Sequence, residues 1–295
     1  MARILVIGGS SLLGQYIVRE ALARDYEVWA TYRGTPCAMP GIHDIWADLT
    51  DPSSLQKAFG TAQPNYVILC AALTGVDYCE DHPDEAERVN AEGPAAVAQL
   101  CKAMNTRLVH VSTDYVFDGE AGPYDEEDAP RPLSVYGMSK RAGELGVLDR
   151  LPSALVVRLC ALYGWNRLQN KPNSITWIVA KLRRGEAVPL FADQRVSPTY
   201  AANASSAILD LLSLDAHGIF HIAPRDCVSR LELGEIVCEV FDLPLNLLQA
   251  STVAQANLRA KRPRHSCLVS RRMEKILNRS VRPLREALAH MRDAE

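Results

Sequence analysis

The chain has 295 residues, of which 48% are hydrophobic and 23% are charged, and its formal net charge is −3 at pH 7. This composition is typical of a globular protein with a sizeable core, and the charge gives no reason to expect a nucleic-acid partner. Every long apolar run is interrupted well short of the length of a membrane span, and we expect no secretory signal. We therefore expect a cytoplasmic protein without a membrane partner.

The first half of the chain alternates apolar runs with amphipathic stretches. In chain order, strands are predicted at RILVIG, YEVWATYR, NYVILCAA, RLVHVS and SALVVRL. Helices are predicted at LLGQYIVREALARD, at DPSSLQKAF and over residues 84–104. Strands without strict polar alternation, separated by helices, indicate a parallel sheet that is covered on both faces. The pattern predicts a doubly wound, Rossmann-type α/β fold.

The second half of the chain is less regular and contains more loops, prolines and arginines. We predict that residues 1–165 form a dinucleotide-binding domain and that residues 191–217 return to it. Residues 166–190 and 218–295 are predicted to form a smaller, discontinuous α/β lobe that binds the substrate.

The stretch GGSSLLG, residues 8–14, lies between the first predicted strand and the first predicted helix. A helix N-terminus presents free N–H groups and partial positive charge, and glycines let a phosphate approach the backbone closely. The spacing fits G-x-x-G-x-x-G with Ser11 in place of the middle glycine. We predict a dinucleotide turn in which the Ser11 hydroxyl contacts a phosphate, directly or through water.

The end of the second predicted strand indicates which dinucleotide binds. NAD sites usually carry an acidic residue there, whereas residues 28–34 contain none and include Arg33. Because an arginine at this point can face a 2′-phosphate, NADP(H) is the preferred cofactor and NAD(H) is the alternative. Asp48 and Leu49, after the third predicted strand, suit the adenine edge.

A Tyr–Lys pair and a strand-end hydroxyl suggest the chemistry. Tyr136 and Lys140 are four residues apart and share one face of a predicted helix, and Thr113 follows a strand at the edge where doubly wound sheets bind ligands. This set predicts reduction of a carbonyl by hydride transfer. Tyr136 would donate the proton, and Lys140 would lower the pKa of the phenol and hold the nicotinamide ribose. Thr113 would stabilise the developing charge.

Cysteines lie at positions 37, 70, 79, 101, 160, 227, 238 and 267. None belongs to a C-x-x-C pair, and their spacing does not fit a zinc site. We expect small, buried thiols in a reducing cytoplasm, and we predict no metal site.

Six stretches together resemble the dTDP-4-dehydrorhamnose reductase family of extended short-chain dehydrogenases/reductases. They are AALTGVDYCE (71–80), VNAEGP (89–94), STDYVFDG (112–119), PLSVYGMSKRAGE (132–144), DQRVSPTY (193–200) and RPRHSCL (262–268). They span nearly the whole chain in the family's order. The resemblance implies NADP(H)-dependent reduction of the C4 carbonyl of a nucleotide-diphosphate 4-keto-6-deoxyhexose, and it is compatible with a homodimer.

The resemblance also implies roles for single residues. Thr113, Tyr136 and Lys140 correspond to the catalytic triad. The implied cofactor contacts are Gly8, Ser10, Ser11, Leu12, Leu13, Asp48, Leu49, Ala71, Ala72 and Thr74. The implied substrate contacts are Val76, Asp114 and Tyr115 near the sugar, with the 193–200 loop and Arg262 near the diphosphate.

The chain departs from the family pattern at three positions. Ser11 replaces a glycine, and Ala161 stands where members acting on dehydrorhamnose often carry tryptophan, which leaves room for another deoxyhexulose. Tyr16 stands where some members have an acid that binds magnesium at a dimer contact.

Two alternative functions stay open at this stage. A non-catalytic regulatory subunit, similar to the β-subunit of methionine adenosyltransferase, is disfavoured because Thr113, Tyr136 and Lys140 are all retained. A nucleotide-sugar epimerase or dehydratase is disfavoured because Thr113 is followed by Asp114 and then by no glutamate.

Overall fold

The structure is a computed structural model that describes residues 1–169 and 171–295. Its strands are β1 (Arg3–Ile7), β2 (Glu27–Tyr32), β3 (Ile42–Trp46), β4 (Tyr66–Leu69), β5 (Arg107–Thr113), β6 (Leu155–Leu159), β7 (Val188–Phe191), β8 (Arg195–Val196), β9 (Gly218–His221), β10 (Val228–Ser229) and β11 (Leu248–Ser251). Its helices are α1 (Leu12–Ala23), α2 (Pro52–Ala62), α3 (Val76–Asp81), α4 (Pro83–Glu87), α5 (Gly93–Ala103), α6 (Val135–Arg150), α7 (Ser174–Arg183), α8 (Ala201–Ser213), α9 (Arg230–Phe241), α10 (Arg271–Leu277) and α11 (Leu284–Asp293). A π-helix covers Arg88–Glu92, and 3₁₀ turns cover Asp114–Val116 and Leu245–Leu247.

A seven-stranded sheet in the order β3-β2-β1-β4-β5-β6-β9 forms the centre of the fold. Every neighbouring pair of strands in it is parallel. The strand order reverses between β1 and β4, so a crevice opens at their carboxyl ends, where doubly wound sheets bind ligands. The predicted doubly wound parallel sheet is confirmed.

Helices cover both faces of the sheet, as the apolar strands require. Ile17 of α1 and Ile208 of α8 are fully buried in the core on one face. Phe59 of α2 and Val97 of α5 belong to the core on the other face. Alternate residues of β1 enter the two cores, because successive side chains of a strand point to opposite faces.

Local sequence signals set the starts of several helices. Asp51 caps α2, with its side chain accepting from the backbone N–H of Ser53 at 2.9 Å, and Pro52 occupies the first turn. Ser229 and Glu232 form a capping box at the start of α9.

The remaining strands pair outside the central sheet: β7 with β11 in parallel, and β8 with β10 in antiparallel. Helices α7, α9 and α11 pack around them in a separate core. The division into a cofactor domain and a substrate lobe stays a prediction. However, β9 pairs with β6 in the central sheet, beyond the predicted boundary at residue 217. Residue 170, within the predicted 166–190 segment, lies outside the described residues.

The expectation that all cysteines carry thiols is wrong for two of them. Cys227 and Cys267 form a disulfide, with their Cα atoms 5.7 Å apart and a sequence separation of 40 residues. The fold brings the start of β10 against the 262–268 segment, which spacing along the chain does not reveal. The other cysteines are free, and all of them except the half-buried Cys70 are buried.

Among the described residues, Cys227, His265 and Cys267 are the one group of three side chains that are close enough together to share a metal ion. The disulfide engages both sulfurs of that group. No helix in residues 1–169 or 171–295 has the length and apolar character to cross a membrane.

Phe59→Ala tests the packing of α2 on the sheet. Phe59 is 1% exposed, so its truncation should lower the free energy of unfolding by about 3–5 kcal/mol. Lys57→Ala, at an exposed position of the same helix, should change it by no more than about 0.5 kcal/mol. Urea denaturation of the two variants measures the difference, and equal effects would contradict this packing.

Candidate functional site

A cavity of about 760 Å³ opens at the carboxyl ends of β1, β4 and β5, a volume in the range of small-molecule sites. Every residue predicted for the cofactor, for catalysis or for the sugar lines this cavity, whereas Arg262 and the 193–200 loop, both predicted for the diphosphate, do not. The sequence-predicted residues brought together are Gly8, Ser10, Ser11, Leu12, Leu13, Arg33, Asp48, Leu49, Ala71, Ala72, Thr74, Val76, Thr113, Asp114, Tyr115, Tyr136 and Lys140. Their individual roles stay predictions.

The turn between β1 and α1 is too tight for side chains at its glycines. Gly8 has a φ of +84°, and its N–H donates to Thr31 Oγ1 at 3.0 Å. A Cβ at Gly14 would lie 2.2 Å from the carbonyl oxygen of Gly8. Glycine is therefore required for strand and helix to approach this closely, which leaves the N-terminus of α1 facing the cavity.

Ser11 also has a structural role in the first helix. It is the N-cap of α1, and its Oγ accepts a hydrogen bond from the N–H of Gly14 at 3.1 Å. The serine thus satisfies one of the free donors of the first helical turn. The hydroxyl proton stays available, so the predicted contact with a phosphate remains a prediction.

Arg33 lies at the far end of the cavity, where β2 ends. Its side chain is 67% exposed, and Nη1 lies 3.8 Å from Oδ2 of Asp48. Asp48 Oδ1 accepts hydrogen bonds from Thr50 N and Oγ1, both at 2.8 Å. Because an exposed ion pair of this kind is weak, the guanidinium can turn toward an anion at low cost.

Thr113 and Tyr136 meet on the sheet side of the cavity. Thr113 Oγ1 donates to Asp114 Oδ1 at 3.1 Å and accepts from the N–H of Tyr115 at 3.2 Å. Tyr136 is 8% exposed, and its ring packs edge-on against that of Tyr115. Burial raises the pKa of the Tyr136 phenol above its ordinary value, and a hydrogen bond with Thr113 opposes the rise.

Lys140 is buried one helical turn beyond Tyr136. Its Nζ donates to the carbonyl oxygen of Val111 at 2.7 Å. Burial lowers the pKa of Lys140 to about 8, and the charge of Glu144 opposes that fall. The expectation that Lys140 lowers the pKa of Tyr136 is wrong for this structure, because burial of the phenol dominates and the pKa rises. The phenol is therefore protonated at neutral pH, and the amine is mostly charged.

Asp114 and its neighbours line the part of the cavity predicted for the sugar. Asp114 is 2% exposed, and burial raises the pKa of its carboxyl, although Ser266, Cys160 and Arg230 oppose the rise. The Sγ of Cys160 lies 3.1 Å from Asp114 Oδ2. The carboxyl is thus held by the protein on both oxygens.

Arg262 does not line the cavity. Its Nη2 pairs with Asp77 Oδ2 at 2.7 Å, and its Nη1 is buried with no hydrogen-bond partner among the described residues. Its charge still acts on the pKa of Tyr115, so the guanidinium lies near the sugar side. Its predicted contact with a diphosphate stays a prediction.

Several cavity residues have no signature in the sequence. Lys171 Nζ donates to Thr74 Oγ1 at 2.8 Å, and Gln169 Nε2 donates to Ser10 Oγ at 3.2 Å. Asn90, which belongs to the 89–94 stretch and does not line the cavity, bonds both backbone groups of the lining residue Leu73 through its amide. Asn90 could have been found from the sequence, because it lies in the 89–94 stretch. The contacts of residues 169 and 171 could not, because they depend on how the chain returns over the cavity.

The residues present fit a dinucleotide. The glycine turn offers a backbone cradle that a Cβ would fill, and an exposed cation, Arg33, lines the cavity where β2 ends. The buried pair Tyr136 and Lys140 lines the same cavity. This arrangement can hold an anionic ligand along the carboxyl edge of the sheet and donate a proton to it from Tyr136.

These features define a Rossmann-type protein of the short-chain dehydrogenase/reductase class. The sequence profile described as the RmlD substrate binding domain matches residues 2–295. The chain belongs to this family, as the resemblance in its motifs implies.

Three known proteins illustrate the range of its relatives. A probable low-salt glycan biosynthesis reductase, Agl14, of Haloferax volcanii is 36% identical over 98% of this chain and 97% of its own. The methionine adenosyltransferase 2 subunit beta of Danio rerio is 30% identical over 92% of this chain and 84% of its own. The crystal structure of dTDP-4-dehydrorhamnose reductase from Bacillus anthracis in complex with NADP has a TM-score of 0.90 at 26% identity and covers 100% of both chains.

Alanine substitutions at two glycines test the geometry of the β1–α1 turn. Gly14→Ala forces a Cβ against two backbone carbonyls and should destabilise the protein by about 1–3 kcal/mol. Gly60→Ala, on α2 in open space, should stabilise it by about 0.5–1 kcal/mol. Thermal and urea unfolding measure both signs, and a neutral Gly14→Ala variant would show that the turn can relax.

Proposed function

We propose that the protein is an NADP(H)-dependent reductase of the C4 carbonyl of a nucleotide-diphosphate 4-keto-6-deoxyhexose, acting in deoxysugar biosynthesis. The observation that carries this proposal is the meeting of Thr113, Tyr136 and Lys140 in the cavity that also contains the glycine turn. Two relatives whose names describe them as reductases support it, and one of these was crystallised with NADP.

A bound nicotinamide dinucleotide supplies the hydride for such a reduction. The protein's own contribution is to hold the carbonyl and provide the proton. Tyr136, protonated at neutral pH because burial raises the pKa of its phenol, donates its proton to the carbonyl oxygen as negative charge develops there. Thr113, on exchanging its hydrogen bond to Asp114 for one to the substrate, would donate to the same oxygen, and this bond strengthens as the charge grows.

Lys140 supports this step from one helical turn away. Its ammonium, exchanged from the Val111 carbonyl to a ribose hydroxyl, would orient the sugar ring and stabilise the phenolate left by Tyr136. Because the pKa of Lys140 is about 8, this support is present at neutral pH and is lost as the pH rises through that value.

The regulatory alternative rests on the 30% identity with a methionine adenosyltransferase subunit. Joint retention of the three catalytic side chains in a cavity of ligand size favours an enzyme. A dehydratase needs a further acid–base group beside the tyrosine. Asp114 is engaged by Thr113 and Cys160, and the next residue is Tyr115, so the reductase is favoured.

The identity of the sugar depends on the wall beside Asp114. Ala161 lines the cavity with a positive φ of 42°, a strained conformation for a residue other than glycine. Its methyl group leaves space for a deoxyhexulose other than dehydrorhamnose.

We further propose a cytoplasmic location, a substrate lobe built mainly from 166–190 and 218–295, and a homodimer as the oligomer to test.

The direct test mixes the purified protein with NADPH and 4-keto-6-deoxyhexoses carrying dTDP, UDP or GDP, and follows absorbance of the reduced nicotinamide. We expect NADPH to be consumed with at least one of these sugars. Absence of consumption with all of them, together with tight binding to another protein, would establish the regulatory alternative instead.

Tyr136→Phe removes the proposed proton donor and leaves the ring in place. It should lower kcat by about 10²–10⁴-fold while the dissociation constant for NADPH, measured by fluorescence, stays nearly unchanged. Turnover close to wild type would show that another group donates the proton.

Arg33→Ala tests cofactor preference. Loss of a charged partner for the 2′-phosphate should weaken NADPH binding by about tenfold or more and leave NADH binding nearly unchanged. Lys57→Ala provides the control for loss of an exposed cation on α2. Equal losses for NADPH and NADH would remove the argument for NADP(H).

A further inference from the structure

Glu144, on α6, is a fully buried carboxylate that bonds to three elements of the fold. Its Oε1 accepts from Ser112 Oγ of β5 at 2.6 Å and from Arg158 Nε of β6 at 2.8 Å. Its Oε2 accepts from Arg158 Nη2 at 2.8 Å and from Arg141 Nη1 of α6 at 2.7 Å. We call Ser112, Arg141, Glu144 and Arg158 the Glu144 cluster.

The cluster is buried but fully partnered. Glu144 is 0% exposed and Arg158 is 1% exposed, so both charges have left water at a considerable cost. Two parallel hydrogen bonds between them, with the two further donors to Glu144, offset that cost. Burial alone would raise the pKa of Glu144. The pKa is instead lowered to about 2 by hydrogen bonds and charge from Arg158, Ser112 and Arg141. Glu144 is therefore charged at neutral pH.

Arg158 is fixed from its other side as well. Its Nη1 lies 3.4 Å from Nε2 of His221, whose Nδ1 lies 3.2 Å from the Val269 carbonyl. The carbonyl makes Nδ1 the donor, so Nε2 accepts from the guanidinium. Phe117 covers the guanidinium at 5.1 Å from its ring centre. The cation is thus held in one orientation toward Glu144.

The position of the cluster relates it to the catalytic residues. Ser112 immediately precedes Thr113, and it pairs with Arg158 in the register of β5 and β6. Lys140 lies one helical turn before Glu144 and donates to Val111, the residue before Ser112. Consecutive residues of β5 are therefore bonded to consecutive turns of α6, directly beneath the point where Thr113 and Tyr136 meet.

Glu144 also provides the negative charge that faces Lys140 from its own helix. Cys70, after β4, and His110, on β5, are the other titratable groups that interact with this amine. Burial raises the pKa of Cys70 to about 12 and lowers that of His110 well below its ordinary value, so both are neutral at neutral pH. Of these groups, only Glu144 contributes a full charge that keeps Lys140 protonated.

We propose that Glu144 is a positioning residue of this enzyme. Through Ser112 and Arg158 it fixes α6 against β5 and β6, and this aligns Tyr136 and Lys140 with Thr113. Its negative charge also holds Lys140 in the ammonium form. Glu144 does not line the cavity, so it acts through these residues without touching a ligand. The inference rests on the proposed reductase function for its kinetic consequence, whereas its effect on Lys140 stands independently.

Glu144→Gln keeps the shape of the side chain and removes its charge. In this variant kcat should fall by about 10–100-fold, as expected for misaligned reacting groups, while KM for NADPH stays within about twofold. The pKa of Lys140 should fall by about one unit, because the charge that favours the ammonium is lost. The alkaline limb of the kcat profile should shift down by the same amount.

The titration of Lys140 is measured without substrate by NMR of protein labelled with ¹³C-lysine, with Lys140→Met used to assign the resonance. Asp210→Asn is the matched control, because Asp210 on α8 is an ion-paired acid that bonds Arg24 and Arg279. The Asp210→Asn variant should be less stable than wild type, with kcat and the titration midpoint of Lys140 both unchanged. An unchanged kcat and an unchanged midpoint in Glu144→Gln would overturn the proposal, whatever its melting temperature.

Ser112→Ala separates alignment from charge and replaces Glu144→Gln should that variant fail to fold. It removes one hydrogen bond of the cluster and leaves the carboxylate charged. A fall of kcat by about threefold to tenfold with an unchanged Lys140 midpoint supports the proposal. Wild-type kcat in this variant overturns the alignment role. If the wild-type protein reduces no nucleotide sugar, the proposed function fails, and the Lys140 midpoints still decide the role of Glu144.

Discussion

Burial of Tyr136 and Lys140 against the carboxyl edge of the sheet is the constraint on which the site depends. Removal from water disfavours the charged form of each group, so the phenol keeps its proton and the pKa of the amine falls to about 8. An amine in that position needs a compensating negative charge. Glu144 supplies it, and Arg158 in turn compensates Glu144. The chemistry at the surface of the cavity thus depends on ion pairing inside the fold.

The same edge explains how the cofactor end and the catalytic end come together. Parallel strands bring all their carboxyl ends to one side, and the reversal of order between β1 and β4 opens that side. Gly14 packs against the carbonyls of the first turn so closely that α1 starts at the cavity wall. The glycine turn and the Tyr–Lys helix, although distant in sequence, therefore face a single cavity.

The sequence was sufficient to predict the fold and seventeen of the residues that line the cavity, because strands and helices alternate clearly and because strand ends of a parallel sheet converge. It could not predict features that depend on three-dimensional packing. The Cys227–Cys267 disulfide joins residues without a spacing signature, and the pKa of Tyr136 follows from its burial and not from the nearby lysine. The capping role of Ser11 was a local signal that was interpreted only as a contact to phosphate.

In the proposed reaction, a nicotinamide cofactor bound in this cavity transfers a hydride to the carbonyl of a nucleotide sugar. The most direct measurement incubates the protein with NADPH carrying deuterium at both C4 positions of the nicotinamide and with the 4-keto-6-deoxyhexose nucleotide that it consumes. Mass spectrometry of the product should show one deuterium, located at C4 of the sugar. A product without deuterium, or with the label elsewhere in the ring, would contradict the account.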